Sequence, residues 1–202
     1  MEKQVIISIG REYGSGGHFI AEILGERFGI PVYGHNLLDE IAKERNVPVE
    51  ELRQYDELPK KRLLSRTIKG YSNSPEENIA HLQFDYLKKM ADEGKSFIVV
   101  GRCAEHVLRE CPAMVSVFVL GDRKTKAKRI CEIRKMDEVE ALVTMNRHDK
   151  NRKAYHNHYC MGKWGDSRCY ELCINSSKLG LEKTADIIEA YVKERLKATP
   201  HN

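Results

Sequence analysis

The sequence predicts an α/β protein in which helices cover both faces of a five-stranded parallel sheet. Two observations lead to this prediction. Five short apolar runs rich in β-branched residues alternate with helix-like segments, and a glycine-rich turn joins the first of these runs to the first helix. A length of 202 residues suits one compact domain, so we expect residues 1–202 to form a single three-layer α/β/α unit.

The apolar runs have the length and composition of strands that are buried on both faces. Between the runs, apolar residues recur three and four positions apart, as they do along one face of a helix. The predicted strands are QVIISI (4–9), IPVY (30–33), SFIVVGR (96–102), MVSVFVLG (114–121) and YELCIN (170–175). The predicted helices are FIAEILGERFG (19–29), LLDEIAKERN (37–46), VEELRQYDEL (49–58), 75–94, AEHVLREC (104–111), DRKTKAKRICEIRK (122–135) and LEKTADIIEAYVKERLK (181–197).

Two segments depart from this alternation. Residues 60–75 are basic at first and then rich in Gly, Ser and Asn, which indicates a mobile connection. Residues 137–164 are polar and rich in His, Lys and Arg, and we expect them to form a helical hairpin. In open α/β sheets ligands bind beyond the carboxyl ends of the strands, where the glycine-rich turn also lies.

The composition excludes several classes of protein. With 41% apolar and 32% charged residues the chain has the composition of a globular protein. A net charge of +4 suits an anionic small molecule but falls short of the basic face of a nucleic-acid-binding protein. We see no membrane span and no signal-peptide pattern, so we expect no membrane partner and a cytoplasmic location, with the six cysteines reduced.

The stretch IGREYGSGGH (9–18) has the composition of a phosphate-binding loop. Gly14, Gly16 and Gly17 allow torsions that turn successive N–H groups inward, and the following helix adds its positive end. Two known fingerprints fail, however. Phe19 stands where the dinucleotide-binding loop has its third glycine, and Gly17 and His18 stand where the ATP-binding loop has Lys and Ser/Thr. A purely structural turn remains the alternative.

Four arginines are candidates to replace the missing lysine. Arg11 lies in the loop, Arg102 ends the third strand, and Arg147 and Arg152 lie in the basic segment. Each guanidinium offers a planar fork that matches phosphate oxygens. The alternative for Arg147 and Arg152 is that they form part of a solvated helix face.

We assign no metal site from the sequence. The run His156-Asn157-His158-Tyr159-Cys160 contains metal-binding residue types but lacks the paired spacings of zinc sites. On a helix we expect these side chains to point in different directions. We also expect Cys103, which follows Arg102, to be no nucleophile because no histidine is paired with it.

The chain resembles the cytidylate kinase-like family, which belongs to the P-loop nucleoside monophosphate kinases. Three segments carry the resemblance: ISIGREYGSGGHFIAEILGERFGIPVY, FIVVGRCAEHVL and HDKNRKAYHNHYCMGKWGDSRCYELCINSSKLGLE. The resemblance implies a P-loop kinase fold with a helical lid over residues 137–164 and an acceptor-binding region over residues 35–75. It also implies transfer of the γ-phosphate of ATP to CMP or a similar monophosphate, with Mg²⁺ bound to the donor phosphates.

Particular residues inherit roles from this resemblance. The stretch VVGRC is similar to V-x-G-R-D of cytidylate kinases, which implies that Arg102 contacts the acceptor phosphate, with Cys103 in place of the aspartate. The stretch DKNR is similar to the lid motif D-S-x-R, which implies that Arg152 reaches the transferring phosphoryl group and that Asp149 orients the lid. In INSSKL, which resembles D-T-S-x-L, Asn175 replaces the acid.

The sequence-based hypothesis is therefore an ATP-dependent kinase that acts on small-molecule nucleotides. The predicted catalytic residues are Arg11, Arg102, Arg147, Arg152 and Asp149. The predicted nucleotide-binding residues are Gly10, Gly14, Ser15, Gly16 and Gly17, with His18 as a phosphate donor when it is protonated. An inactive nucleotide-binding or sensor protein and a kinase of another small metabolite are the alternatives. The oligomeric state is open, with a homo-oligomer as one option.

Overall fold

The protein is described by a computed structural model over residues 3–58, 67–68, 71–72 and 74–198. Its main sheet has five strands, all parallel, in the order β2-β5-β1-β6-β7, so the first strand lies at the centre. These strands are β1 (Ile6–Arg11), β2 (Val32–Tyr33), β5 (Phe97–Val100), β6 (Met114–Leu120) and β7 (Leu172–Asn175). Two short strands, β3 (Thr67–Ile68) and β4 (Tyr71–Ser72), pair antiparallel apart from this sheet.

Helices connect the strands of the main sheet. They are α1 (Gly17–Phe28), α2 (Leu37–Arg45), α3 (Val49–Arg53), α4 (Pro75–Asp92), α5 (Ala104–Val107), α6 (Arg123–Arg134), α7 (Glu138–Tyr159) and α8 (Ser176–Ala198). α3 and α5 are shorter than the sequence predicts. α8 contains a break at Gly180, whose φ of 77° and ψ of 176° are not helical, so its regular part begins where the predicted last helix begins.

The apolar core lies on both faces of the sheet. Side chains alternate along β1, so that Ile6 packs on one side with α2 and α4 while Ile7 and Ile9 pack on the other with α1 and α8. All six residues of β1 are buried. This arrangement confirms the predicted three-layer fold with a five-stranded parallel sheet.

The segment 137–164 differs from its prediction as a helical hairpin. α7 is a single helix of 22 residues, and the chain between it and β7 is irregular apart from a short 3₁₀ turn at Ser167–Cys169. Asp137 caps α7, since its side chain accepts a hydrogen bond from the N–H of Glu140. The helical pair is instead formed by α6 and α7, which bury Ile130 against Ala141 and Met145.

Two further expectations concern the flanking chain. The predicted mobile connection at 60–75 lies largely outside the described residues, which include only β3, β4, Ser74 and the first residue of α4 from this stretch. Among the described helices none has an apolar stretch long enough to cross a bilayer.

Candidate functional site

The carboxyl end of β1 opens into a cavity of about 280 Å³. The cavity lies between the glycine-rich loop, Arg102 after β5, and side chains from α6 and α7. Its lining residues include Arg11, Gly14, Gly16, Gly17, His18, Arg102, Arg129, Arg134 and Arg152. The loop that the sequence singles out, with its own Arg11, therefore shares one cavity with arginines from three other places in the fold.

The loop has the torsions that its glycines predict. Gly14 and Gly16 have φ angles of +82° and +85°, a region that favours glycine. Gly16 is the N-cap of α1, no side chain caps this helix, and its first turn contains no acidic residue. The first N–H groups of α1 have no intrahelical acceptor, so they and the helix dipole can bind an anion.

At Gly17 the reason for glycine is steric, because there is no room for a side chain. A Cβ added at Gly17 would lie 2.7 Å from the Cβ of Arg11, which is too close for two carbon atoms. The sequence position that carries lysine in ATP-binding loops is thus packed directly against an arginine from β1.

Of the predicted residues Ser15, Gly10 and His18, His18 alone lines the cavity. Ser15 is buried and braces the loop, because its Oγ donates to the carbonyl of Glu12 at 2.8 Å and its own carbonyl accepts from Ser176 Oγ at 2.5 Å. Gly10 lies in β1 and packs against the ring of Phe118. His18 lines the cavity with a side chain that is 57% exposed.

Arg11 and Arg102 are held by two carboxylates that the sequence analysis did not identify. Arg11 donates two hydrogen bonds to Glu57, both of 3.1 Å. Arg102 donates to Asp56 at 2.5 Å and lies 3.7 Å from Glu57. Because Asp56 and Glu57 follow α3, the region after this helix supplies the counterions of the site.

Glu57 carries a negative charge among several positive ones. Burial alone would raise its pKa, but the charges of Arg11, Arg102 and Arg152 outweigh burial and hold the pKa well below its usual value. The residue also has a positive φ of 49°, which is uncommon for a residue other than glycine. Glu57 is therefore ionised and is fixed in an unfavourable backbone conformation by its surroundings.

Arg102 is the most deeply buried charged residue of the site. Its side chain is 1% exposed, it donates to the carbonyl of Val100 at 3.0 Å, and Arg102 and Cys103 both have positive φ. Its Nε is buried without a hydrogen-bond partner among the described residues. A buried guanidinium N–H without an acceptor is costly, and because this atom has almost no accessible surface, a ligand oxygen reaches it only after the side chain moves.

α7 reaches the loop through Asp149 and Arg152. The carboxylate of Asp149 accepts from the N–H of Tyr13 at 2.7 Å, and Arg152 lies over the ring of Tyr13 with its Cζ 5.4 Å from the ring centre. Burial and the neighbouring Arg11 lower the pKa of Arg152 to about 10, which leaves it protonated at neutral pH. Arg147, in contrast, is exposed and does not line the cavity.

Sequence reasoning also missed the contribution of α6. Arg129 donates to the carbonyl of Gly14 at 2.5 Å, and Lys126 pairs with Glu12 at 2.8 Å while its Nζ lies 3.8 Å from Asp149. From the sequence, the basic run 122–135 is predicted to be a helix, and no functional role follows from its pattern. The available clue was its start directly after β6, at the carboxyl edge of the sheet, with Lys126 and Arg129 three residues apart on one face.

The donor groups of this cavity suit polyphosphate better than they suit a bare cation. Helix N–H groups and five arginines, one with an unpartnered buried Nε, match phosphate oxygens. Among the described residues that line the cavity, Glu12 alone carries a carboxylate. Mg²⁺ prefers oxygen ligands and is often held by one or two carboxylates together with substrate phosphates, and Glu12 fits that role.

A second polar cluster lies behind the arginines. Glu105, His156 and Cys160 place one donor atom each within 4.8 Å of one another. The expectation that the side chains of residues 156–160 point in different directions is therefore wrong for His156 and Cys160, which lie four residues apart and converge on Glu105.

Comparisons with known proteins agree with the predicted family and fold. The family model of the cytidylate kinase-like family matches residues 6–178. A cytidylate kinase of Methanococcus vannielii is 27% identical over 193 residues, which cover 94% of this chain and 100% of that protein. The matched residues include the glycine-rich loop, Arg102 and α7.

Solved structures extend the comparison. The crystal structure of an uncharacterized protein from Eubacterium ventriosum has 41% sequence identity and a TM-score of 0.76, and it covers 94% of this chain and 99% of that chain. Shikimate kinase from Bacteroides thetaiotaomicron shares the fold, with a TM-score of 0.55 at 11% identity over 94% of this chain and 98% of that chain. With the family model matching most of its length, the chain belongs to the cytidylate kinase-like family.

Proposed function

We propose that the protein is an ATP-dependent phosphotransferase whose acceptor is CMP or a similar nucleoside monophosphate. One observation carries this proposal: the amino end of α1, with its glycine-rich loop, and arginines from β1, the β5 end, α6 and α7 line a single cavity. Phosphoryl transfer depends on positioning and charge neutralisation, and these are the properties that such a cavity supplies.

The loop and α6 would hold the donor phosphates. Backbone N–H groups at the start of α1 would bind phosphate oxygens, and Arg129 and Arg134 would supply the positive charge that a lysine provides in other loops. Glu12 is the carboxylate in position to hold Mg²⁺, which neutralises phosphate charge when it is bound. Lys126 and the N–H of Gly121 fix the Glu12 carboxylate at 2.8 Å and 3.0 Å.

α7 would act as the lid and place Arg152 against the transferring group. Asp149 joins this helix to the loop through the N–H of Tyr13, so Arg152 is positioned by a hydrogen bond next to the phosphate-binding residues. Arg152 would then neutralise charge in the transition state, while closure of α7 would exclude water.

Arg11 and Arg102 would bind the anionic end of the acceptor. Both are already paired with carboxylates, so an acceptor phosphate would compete with Glu57 and Asp56 or use the free Nε of Arg102. This pairing favours a second candidate acceptor, a small hydroxyl compound without a phosphate. Such an acceptor would not compete with Glu57 and Asp56 for the two arginines.

An acceptor panel tests the proposal. The purified protein is incubated with ATP, Mg²⁺ and one acceptor at a time: CMP, dCMP, UMP, AMP, GMP and polyhydroxylated acids such as shikimate. Products are separated by anion-exchange chromatography. We expect a nucleoside diphosphate from CMP or a related monophosphate, and Arg152→Ala should lose turnover while it largely keeps ATP binding. The exposed Arg147→Ala serves as its matched control on the same helix.

The outcomes separate the candidate functions. Phosphorylation of a hydroxyl acid alone would replace the monophosphate acceptor by the second candidate. ATP binding without turnover on any acceptor would instead identify a nucleotide-binding or sensor protein. Absence of any ATP-dependent rise in melting temperature would overturn nucleotide binding itself.

A further inference from the structure

The cluster of Glu105, His156 and Cys160 joins two separate parts of the fold. Glu105 lies in α5, three residues after Arg102. His156 and Cys160 lie at the end of the lid helix α7. His156 Nε2 lies 2.7 Å from Glu105 Oε1, and Cys160 Sγ lies 3.9 Å from the same oxygen. Three different donor types therefore converge on one point.

The local structure explains this convergence. His156 and Cys160 are four residues apart, and the N–H of Cys160 still bonds the carbonyl of His156 at 2.8 Å, so both side chains leave the last turn of α7 on one face. The side chains of Glu105 and His156 are only 5% and 7% exposed. Cys103, two residues before Glu105, packs in the same apolar cluster as Cys160.

We propose that Glu105, His156 and Cys160 bind a divalent transition metal ion of the zinc type, with the thiol of the neighbouring Cys103 as a further donor. Imidazole, thiolate and carboxylate are the three ligand classes that Zn²⁺ takes in proteins. This site is separate from the proposed kinase function and needs no nucleotide.

The distances suit replacement of a proton by a metal ion. Zinc bonds of about 2.0–2.3 Å place tetrahedral ligand atoms roughly 3.3–3.8 Å apart. The Cys160–Glu105 separation of 3.9 Å is already close to this range, whereas the His156–Glu105 separation of 2.7 Å is that of a hydrogen bond. The metal takes the place of the shared proton, and the two side chains separate by less than one ångström.

The space beside the cluster limits the size of the ligand. A cavity of about 20 Å³ adjoins Glu105 and His156 and is lined also by Cys103 and by the positively charged Arg11, Arg102 and Arg152, so the carboxylate of Glu105 and the thiolate of Cys160 must offset that charge when a cation binds. Such a volume is about that of one water probe, so it admits an ion and excludes a larger ligand. Metal binding here ties α7 to α5 and so fixes the distance between the two arginines of the kinase cavity.

Metal binding to the intact protein tests this proposal directly. The protein is stripped with a chelator, exchanged into metal-free buffer with a phosphine reductant that keeps thiols reduced, and titrated with Co²⁺ and with Zn²⁺. We expect one metal ion per chain, a thiolate-to-cobalt charge-transfer band in the near ultraviolet, and a rise in melting temperature with Zn²⁺.

Matched variants assign the site. Cys160→Ser should reduce the charge-transfer band and weaken Zn²⁺ binding at least ~10-fold, and Glu105→Gln should weaken binding while it keeps the band. Cys111→Ser and the exposed His158→Gln should change neither readout, and near-ultraviolet circular dichroism confirms that each variant is folded. The proposal is overturned if the wild type shows no charge-transfer band, or if Cys160→Ser binds Zn²⁺ as tightly as the wild type.

Discussion

The carboxylate of Asp149 accepts a hydrogen bond of 2.7 Å from the backbone N–H of Tyr13. These two residues are 136 positions apart, and together with Arg152, which lies over the Tyr13 ring, this contact joins α7 to the glycine-rich loop. Burial raises the pKa of Asp149, while the hydrogen bond from Tyr13 and the charge of Lys126 oppose that rise. The contact therefore fixes Asp149 to the backbone of the loop.

Removal of this contact should affect turnover and stability together. Asp149→Ala leaves the N–H of Tyr13 without its partner, which costs about 1–3 kcal/mol of unfolding free energy. We expect kcat to fall because Arg152 loses its alignment with the loop. Urea unfolding and steady-state kinetics measure the two effects. Lys150→Ala, exposed on the same helix, is the control and should change neither. If Asp149→Ala keeps full turnover, this contact does not position the lid.

Glu57 should act as an internal anion among the arginines. Glu57→Gln removes the charge but keeps the size of the side chain, so Arg11 and Arg102 are left without a full counterion. With the Glu57 side chain only 13% exposed, we expect a loss of about 3 kcal/mol of stability. Phosphate or sulfate should then raise the melting temperature of the variant more than that of the wild type.

The control for this prediction lies nearby in the chain. Glu50→Gln changes an exposed carboxylate in α3 and should leave both stability and the anion effect unchanged. An anion effect of equal size in Glu57→Gln and the wild type would show that Glu57 does not compete with bound anions.

The pKa of Glu57 predicts a particular dependence of stability on pH. Because its folded pKa is depressed well below the usual 4.5, the unfolded state binds the proton more readily. The contribution of Glu57 is therefore fully present above about pH 5 and is lost as the pH falls through 4.5 toward the folded pKa. Urea unfolding between pH 6 and pH 3, at steps of about half a unit, should show a steeper loss for the wild type than for Glu57→Gln. Parallel curves would contradict the prediction.

Arg129 lies in α6, outside the glycine-rich motif, and should stabilise the loop formed by that motif. Arg129→Ala removes a hydrogen bond of 2.5 Å to the carbonyl of Gly14 and one positive charge from the cavity. We expect ATP to bind roughly 10-fold more weakly, which corresponds to about 1.4 kcal/mol, the scale of one charge-assisted hydrogen bond. Isothermal titration calorimetry measures this change. Lys128→Ala removes the same charge from a side chain that is 80% exposed and should bind ATP normally.

The sequence by itself determined the fold and the local shape of the loop. Alternating apolar runs predicted the five parallel strands, and the glycine pattern predicted the positive φ angles seen at Gly14 and Gly16. Such features depend on torsional freedom and on the spacing of apolar residues along neighbouring positions, so they can be read without the rest of the molecule. The hairpin predicted for 137–164 was wrong because a polar composition does not show where one long helix finds its packing partner.

Only the tertiary structure decided which charges meet. Glu57 belongs to no motif, yet it lies against Arg11, 46 residues away, because the chain after α3 returns to the end of β1. Arg129 and Arg147 lie in similarly basic helical segments, but α6 turns Arg129 toward the loop while α7 leaves Arg147 in solvent. Likewise Glu105 meets His156 across 51 residues. Ion pairs of this kind form where packed elements bring distant residues together, and the spacing of residues along the chain does not encode that geometry.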